Sequence, residues 1–228
     1  DIDCGVFARC GGCVFRHINY KNECDLKQNR VMQAMRRIGK TDIDPQPIIA
    51  AENPDGIAVA FDLKAPTFRH KAYSEYKAGR KPMPEELREQ IPLLKHWLRL
   101  YGYHVLEAEG YEADDILGTL AFNAEKNGDT CVIATGDRDS LQLISDSVKV
   151  LLSSTKAGKP EIITFDKAAL FEKYGLTPEQ MIELKALMGD ASDHIPGVPG
   201  IGEKTATDLI VRFGSVEGVY QNLDSEFI

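Results

Sequence analysis

Between Gly56 and Leu152, short apolar runs alternate with longer stretches whose apolar residues recur every three or four positions. That alternation restricts the fold more than any other feature of the chain. Ile57–Phe61 reads as a buried strand. After a polar, basic stretch comes a helix from Pro84 to about Tyr101, with Leu87, Ile91, Leu94 and Leu98 along one face. A short strand at His104–Leu106, a helix over Ala113–Lys126 and a strong strand at Thr130–Thr135 follow. Asp139–Ile144 is expected to be a short helix and Val148–Leu152 another strand. Strands that alternate with helices imply an α/β fold, a mostly parallel sheet covered on both faces. Ligands of such sheets bind at the carboxyl ends of the strands, where Asp62 and Gly136-Asp137 fall. From about Asp166 the strands stop, and three or more short helices follow, broken by the turn-rich run Ile195–Gly202.

The chain has 228 residues, enough for one large domain or two small ones. No stretch approaches 18 consecutive apolar residues, which excludes a transmembrane helix, and no basic-then-apolar start marks a signal peptide. The chain opens on Asp1 and stops at Phe227-Ile228 without a closing helix signal, so a fragment at both ends is expected. The division expected is a cysteine-rich segment and linker over 1–55, an α/β core over 56–165 and a helical subdomain over 166–228.

The net charge of −8 argues on average against a polyanionic partner, but the charges are segregated. From Lys64 to Lys81 there are six basic residues (Lys64, Arg69, Lys71, Lys77, Arg80, Lys81) against the single acid Glu75. Phe68, Tyr73 and Tyr76 are interleaved with them, as in an electrostatic funnel with stacking surfaces for single-stranded nucleic acid. A solvated loop is the plainer alternative.

Acids are crowded elsewhere: Asp62 after a strand, Glu112, Asp114 and Asp115 at a helix start, Asp137 and Asp139 after a strand, Asp190 and Asp193 after a helix. Singly, these positions suit helix-terminus complementarity, turns and N-caps. Together, all but the last pair fall on one edge of a parallel sheet and should converge. Two carboxylates ~4 Å apart at an effective dielectric of about 20 repel by roughly 4 kcal/mol. Such a set needs cations, and an all-oxygen set suits Mg²⁺ or Mn²⁺. Two ions roughly 3.5–4 Å apart would stabilise the attacking and leaving oxygens of phosphodiester hydrolysis.

The segments AFDLKAPTFRHKAYSEYKAGRKPMPEELREQIPLL, EAEGYEADDILGTLA, ATGDRDSLQLI and LKALMGDASDHIPGVPGIGEKTA closely resemble the flap endonuclease family, in particular the 5′-nuclease domain of bacterial DNA polymerase I. The resemblance runs from about residue 54 to 223. It implies a PIN/flap-nuclease-like core followed by a helix–hairpin–helix subdomain, and removal of 5′ flaps and RNA primers from branched or nicked duplexes. It implies that Asp62, Glu112, Asp114, Asp115, Asp137, Asp139, Asp190 and Asp193 are metal ligands. The stretch at about 64–82 matches an arch over the active site. There Lys77 and Arg80 would contact the scissile phosphate, with Arg69, Lys71, Tyr73 and Lys81 on the DNA. Gly197, Gly200, Gly202, Lys204 and Thr205 fall in the hairpin that in the family holds duplex DNA, partly through a bound K⁺. The plainer reading of those glycines is a tight turn with no ligand.

Cys4, Cys10 and Cys13 follow C-x5-C-x2-C, a pitch that suits a metal or a [4Fe–4S] cluster lacking its fourth ligand. Residues 1–55 are similar to the iron–sulfur segment of 23S rRNA (uracil-5-)-methyltransferases. The two resemblances meet near Asn53-Pro54-Asp55-Gly56, which implies a spliced reading frame. The nuclease family's first strand, with its metal-binding Asp, would then be missing. Cys24 lies on an expected helix over Tyr20–Ile38, and Cys131 in a strand reads as a small buried hydrophobe. The expected function is therefore a divalent-metal 5′-3′ exonuclease and 5′ flap endonuclease, monomeric, cytoplasmic and bacterial, acting on DNA without a membrane partner. The alternatives are a branched-DNA-binding module that cannot cut and, further off, an iron–sulfur RNA methyltransferase fragment.

Overall fold

The computed structural model of the protein describes residues 54–156 and 159–224, and from Ile57 onward these form one compact unit. The cysteine segment and the helix expected over Tyr20–Ile38 lie outside the described residues. Strand β1 (Ala58–Ala60) pairs in parallel with β2 (His104–Leu106), Ala58 opposite His104 and Ala60 opposite Leu106. The crossover between them carries α1 (Phe68–Ala72) and α2 (Glu85–Leu100). Helix α3 (Ala113–Asn127) then leads to β3 (Cys131–Thr135), and its end is set by Gly128, whose φ of +80° favours a residue without a side chain. β4 (Val148–Lys156) lies parallel to β3, with Cys131 opposite Val148 and Thr135 opposite Leu152. The 3₁₀ turn Arg138–Leu143 forms the crossover between these two strands.

Three elements differ from the sequence expectation. β4 continues past Leu152, and β5 (Lys159–Phe165) returns antiparallel beside it, Val150 opposite Phe165. Ser153, Ser154 and Thr155, past the strand end expected at Leu152, are exposed. Antiparallel pairing satisfies their backbone while one face stays solvated. The helix expected over Asp139–Ile144 is the 3₁₀ turn, because the Asp137 carboxylate accepts from Asp139 N and starts a tighter turn.

The chain ends in helices α4 (Lys167–Tyr174), α5 (Pro178–Met188), α6 (Glu203–Phe213) and α7 (Val216–Gln221). A two-residue antiparallel bridge joins β6 (Gly189–Asp190) to β7 (Ile195–Pro196) between α5 and α6. The apolar core has two centres. Ile133, Leu141, Val148, Val150, Phe165 and Leu170 fill the α/β part, and Leu176, Leu184, Leu187, Ala206 and Ile210 fill the helical part. Tyr174 and Met181 pack against both, so the helices are seated on the strands rather than hung from a linker. The stripe expected on α2 does form, but no residue of that helix is buried, and Leu87 and Leu94 are each 46% exposed.

Candidate active site

The acidic residues reach one cleft because each sits where an element begins or ends. β1 delivers Asp62, whose Oδ1 accepts from Ala113 N at 2.7 Å and so ties the end of the strand to the first turn of α3. Glu112 is the residue that opens α3, and Asp114 follows within the first turn. β3 delivers Asp137 and Asp139, and α5 delivers Asp190 and Asp193 just past its end. Asp62, Glu112, Asp114, Asp137, Asp139, Asp190 and Asp193 line a cleft of about 580 Å³, together with Arg69, Lys77, Arg80 and Lys185. Asp115 is the expected ligand that the structure places elsewhere. Its carboxylate takes two hydrogen bonds of 2.8 Å from Arg69 and another from Glu112 N. The Arg69 guanidinium therefore holds the Asp115 carboxyl below the usual carboxylate range.

The cleft divides electrostatically. Among the described residues, Asp62, Asp114 and Asp137 have no ion pair. Partial desolvation, with the charges of Asp137 and Asp62 adding to it, raises the Asp114 carboxyl above its ordinary range. The other acids are matched by cations of the protein. Glu112, only 8% exposed, accepts from Tyr76 Oη at 2.8 Å and Lys77 Nζ at 2.6 Å, with Arg69 Nη1 3.5 Å away. Arg80 pairs with Asp193. Lys185 Nζ lies 2.9 Å from Asp139 Oδ1 and 2.8 Å from Asp190 Oδ2. Burial raises Asp190, but donation from Lys185 and Ser192 outweighs it and holds the carboxyl at about 2.

The basic stretch is folded over this cleft. Lys77 N donates to Asp193 O at 3.0 Å with Lys77 at φ +58°, a left-handed backbone that costs a lysine on the order of 1 kcal/mol. The interaction aims the lysine at Glu112. Tyr76, read from the sequence as a stacking surface, is instead 5% exposed, and burial and its bond to Glu112 raise the phenol far above its ordinary range. Tyr73, Lys71 and Lys81 lie exposed on the outside of the stretch. Lys71 and Lys81, with Lys64, have no ion pair among the described residues, so their charge is available to a polyanion.

In the hairpin region, Lys204 and Thr205 sit exposed in the first turn of α6, and Gly202 precedes it in extended backbone. Gly197 has a packing reason: a Cβ there would stand 2.2 Å from the Met188 carbonyl carbon and 2.5 Å from Gly189 N. Gly200 adopts φ +85° with open space around it. Cys4, Cys10 and Cys13 lie outside the described residues, and Cys131 is half-buried on β3, where burial pushes its thiol up. Two members of the site, Tyr76 as an acid-binding group and Lys185, are not marked by the sequence motifs. The lysine stands five residues before Asp190 inside the LKALMGDASD run.

The donor set suits a hard divalent cation, since it offers only carboxylate oxygens and leaves Asp62, Asp114 and Asp137 mutually repelling. Among the described residues, no three His, Cys, Asp or Glu side chains already stand around a common ligating point. An incoming ion must therefore draw carboxylates together and compete with the cations already there.

A profile described as "5′-3′ exonuclease, N-terminal resolvase-like domain" matches residues 20–175, and one described as "5′-3′ exonuclease, C-terminal SAM fold" matches residues 176–227. The first match begins well before Pro54, so part of the stretch that resembles methyltransferases falls inside it. Among curated proteins, DNA polymerase I of Bacillus caldotenax is 53% identical over 177 residues, 78% of this chain and 20% of the relative. DNA polymerase I of Bacillus subtilis (strain 168) is 47% identical over 173 residues, 76% of this chain and 19% of the relative. The chain thus spans about a fifth of the length of the curated relatives it matches. Among solved structures, T5 5′-exonuclease with bound zinc ions superposes at a TM-score of 0.60 and 25% identity, covering 93% of this chain and 75% of that one.

Proposed function

This chain belongs to the 5′-3′ exonuclease family, and we propose that it is a divalent-metal-dependent 5′-3′ exonuclease and 5′ flap endonuclease that hydrolyses DNA phosphodiester bonds. The observation that carries the proposal is one cleft whose lining brings together Asp62, Glu112, Asp114, Asp137, Asp139, Asp190 and Asp193 from several elements, with Lys77 and Arg80 among the other lining residues. Flap, nicked or RNA-primed duplexes are the substrates, a monomer acts on them, and replication and repair in the bacterial cytoplasm are the setting. Among the described residues no helix is long and apolar enough to cross a membrane.

The geometry supports a division of labour. Asp62, Glu112, Asp114, Asp137, Asp139, Asp190 and Asp193 would hold two Mg²⁺ or Mn²⁺ ions, and Asp115 serves them by orienting Arg69. The chemistry such ions would supply when bound is activation of water and neutralisation of charge on the leaving oxygen. Lys77 and Arg80, paired with Glu112 and Asp193 in this structure, would contact the scissile phosphate and stabilise the charge developing there. Arg69, Lys71, Tyr73 and Lys81 guide the single strand. Gly197, Gly200, Gly202, Lys204 and Thr205 form the hairpin that grips duplex backbone without reading sequence, with K⁺ as a candidate helper ion. Residues 56–165 would form the catalytic core and 166–228 the helical DNA-binding part, with 1–55 the cysteine-rich segment and linker, of which the part from residue 20 falls inside the exonuclease profile.

The test is cleavage of a 5′-labelled flap duplex by the purified chain in millimolar Mg²⁺, beside a chelator control. Metal-dependent release of a short 5′ product is the expected result. Binding of the flap without any cleavage would make the chain a branched-DNA-binding module instead.

A further inference from the structure

We infer that Lys185 is a built-in counter-cation for Asp139 and Asp190, a positioning residue that holds the two carboxylates together until a divalent ion takes its place. The inference rests on the proposed metal-dependent reading. Asp139 belongs to the 3₁₀ turn after β3 and Asp190 to the bridge after α5, so the two acids come from the two halves of the compact unit. A single ammonium spans them at 2.9 Å and 2.8 Å, from the last turn of α5, which packs against the 3₁₀ turn. Asp139 has no other cationic partner among the described residues. Asp190 is further steadied by Ser192 N at 2.8 Å and Ser192 Oγ at 2.7 Å.

Two negative groups brought together from separate elements repel unless a positive charge stands between them. The ammonium has three donors and no acceptor, so it can satisfy both oxygens at once. A divalent ion seeks those same oxygens and repels the ammonium, and both cannot sit on them together. Lys185 thus preassembles the acids and, by the same contact, weakens the ion that replaces it.

The experiment is a titration of the full chain with Mn²⁺, free ion followed by electron paramagnetic resonance, for the wild type, Lys185→Met, Lys185→Arg and Lys167→Met. Methionine keeps the stem and removes the charge. It should bind Mn²⁺ roughly tenfold more tightly, about 1.4 kcal/mol of lost competition. Arginine restores a cation of similar reach and should return the affinity to the wild-type value. Lys167, exposed and paired with Asp146 at 3.0 Å, controls for net charge and should leave affinity unchanged. Should Lys185→Met fail to fold, Lys185→Gln carries the same comparison. Equal or weaker Mn²⁺ binding by the uncharged variant overturns the role of Lys185 while leaving the metal site standing. Absence of Mn²⁺ binding in every variant overturns both.

Discussion

Tyr76→Phe isolates the contact that locks the basic stretch onto the acidic cleft. The phenol donates at 2.8 Å to Glu112 Oε2, with Tyr76 5% and Glu112 8% exposed. Phenylalanine keeps the edge-on packing with His70, whose ring centre is 5.1 Å away, and the Lys77 ammonium over the ring. Only the hydroxyl is lost. A hydrogen bond to a charged acceptor contributes about 1.5–3 kcal/mol. Arg69 Nη1 at 3.5 Å and Lys77 Nζ at 2.6 Å still neutralise part of the glutamate, which places the expected cost near the lower end, about 1.5–2 kcal/mol. For a domain of this size that lowers Tm by roughly 3–8 °C. Urea and thermal unfolding in chelator measure it, in a cycle with Glu112→Ala. In the alanine background the same Tyr76→Phe change should cost far less, because the hydroxyl there has lost its acceptor at 2.8 Å. A cost below about 0.5 kcal/mol in the wild-type background, or an equal cost in both, refutes the assignment.

Asp137→Ala should abolish metal-dependent flap cleavage while leaving flap binding in chelator largely intact, which a gel-shift assay run beside the cleavage assay checks. Asp114→Asn should raise the stability of the metal-free protein at pH 7. The folded carboxyl is raised, so its penalty is absent below the unfolded value of about 3.9 and is fully present above the folded one. The gain read by urea unfolding should therefore vanish in acid. Asp190→Asn should do the reverse, because the stability supplied by a carboxyl held at about 2 is present above the unfolded value and lost as pH falls towards 2. Gly197→Ala should destabilise by about 3 kcal/mol or more, since its Cβ meets backbone at 2.2 Å, whereas Gly202→Ala, with open space around it, should be tolerated. Replacing Lys71 and Lys81 together by alanine should flatten the salt dependence of flap binding by about 1.5 in log–log slope.

How much of this was legible in the residues depended on the range of the interaction involved. The β2 strand, Ala113 as the start of α3 and the acids at strand ends were all readable, because hydrophobic period and the chemistry of chain ends are local. β5 was missed because its partner, the polar Ser153–Thr155 run, becomes a strand only by pairing. The apolar stripe on α2 was readable as a stripe, but not its exposure, which depends on what packs against it.

The sequence by itself determined the alternation of strands and helices, the segregation of a basic stretch from clusters of acids, and the family to which those motifs point. Only the tertiary structure decided which charge answers which. Asp115 turns to Arg69 rather than the cleft, Tyr76 goes inward to Glu112, and Lys185 stands between Asp139 and Asp190. These pairs join residues far apart in the chain or on different elements. Their strength depends on separation and burial, and both exist only once the chain has folded.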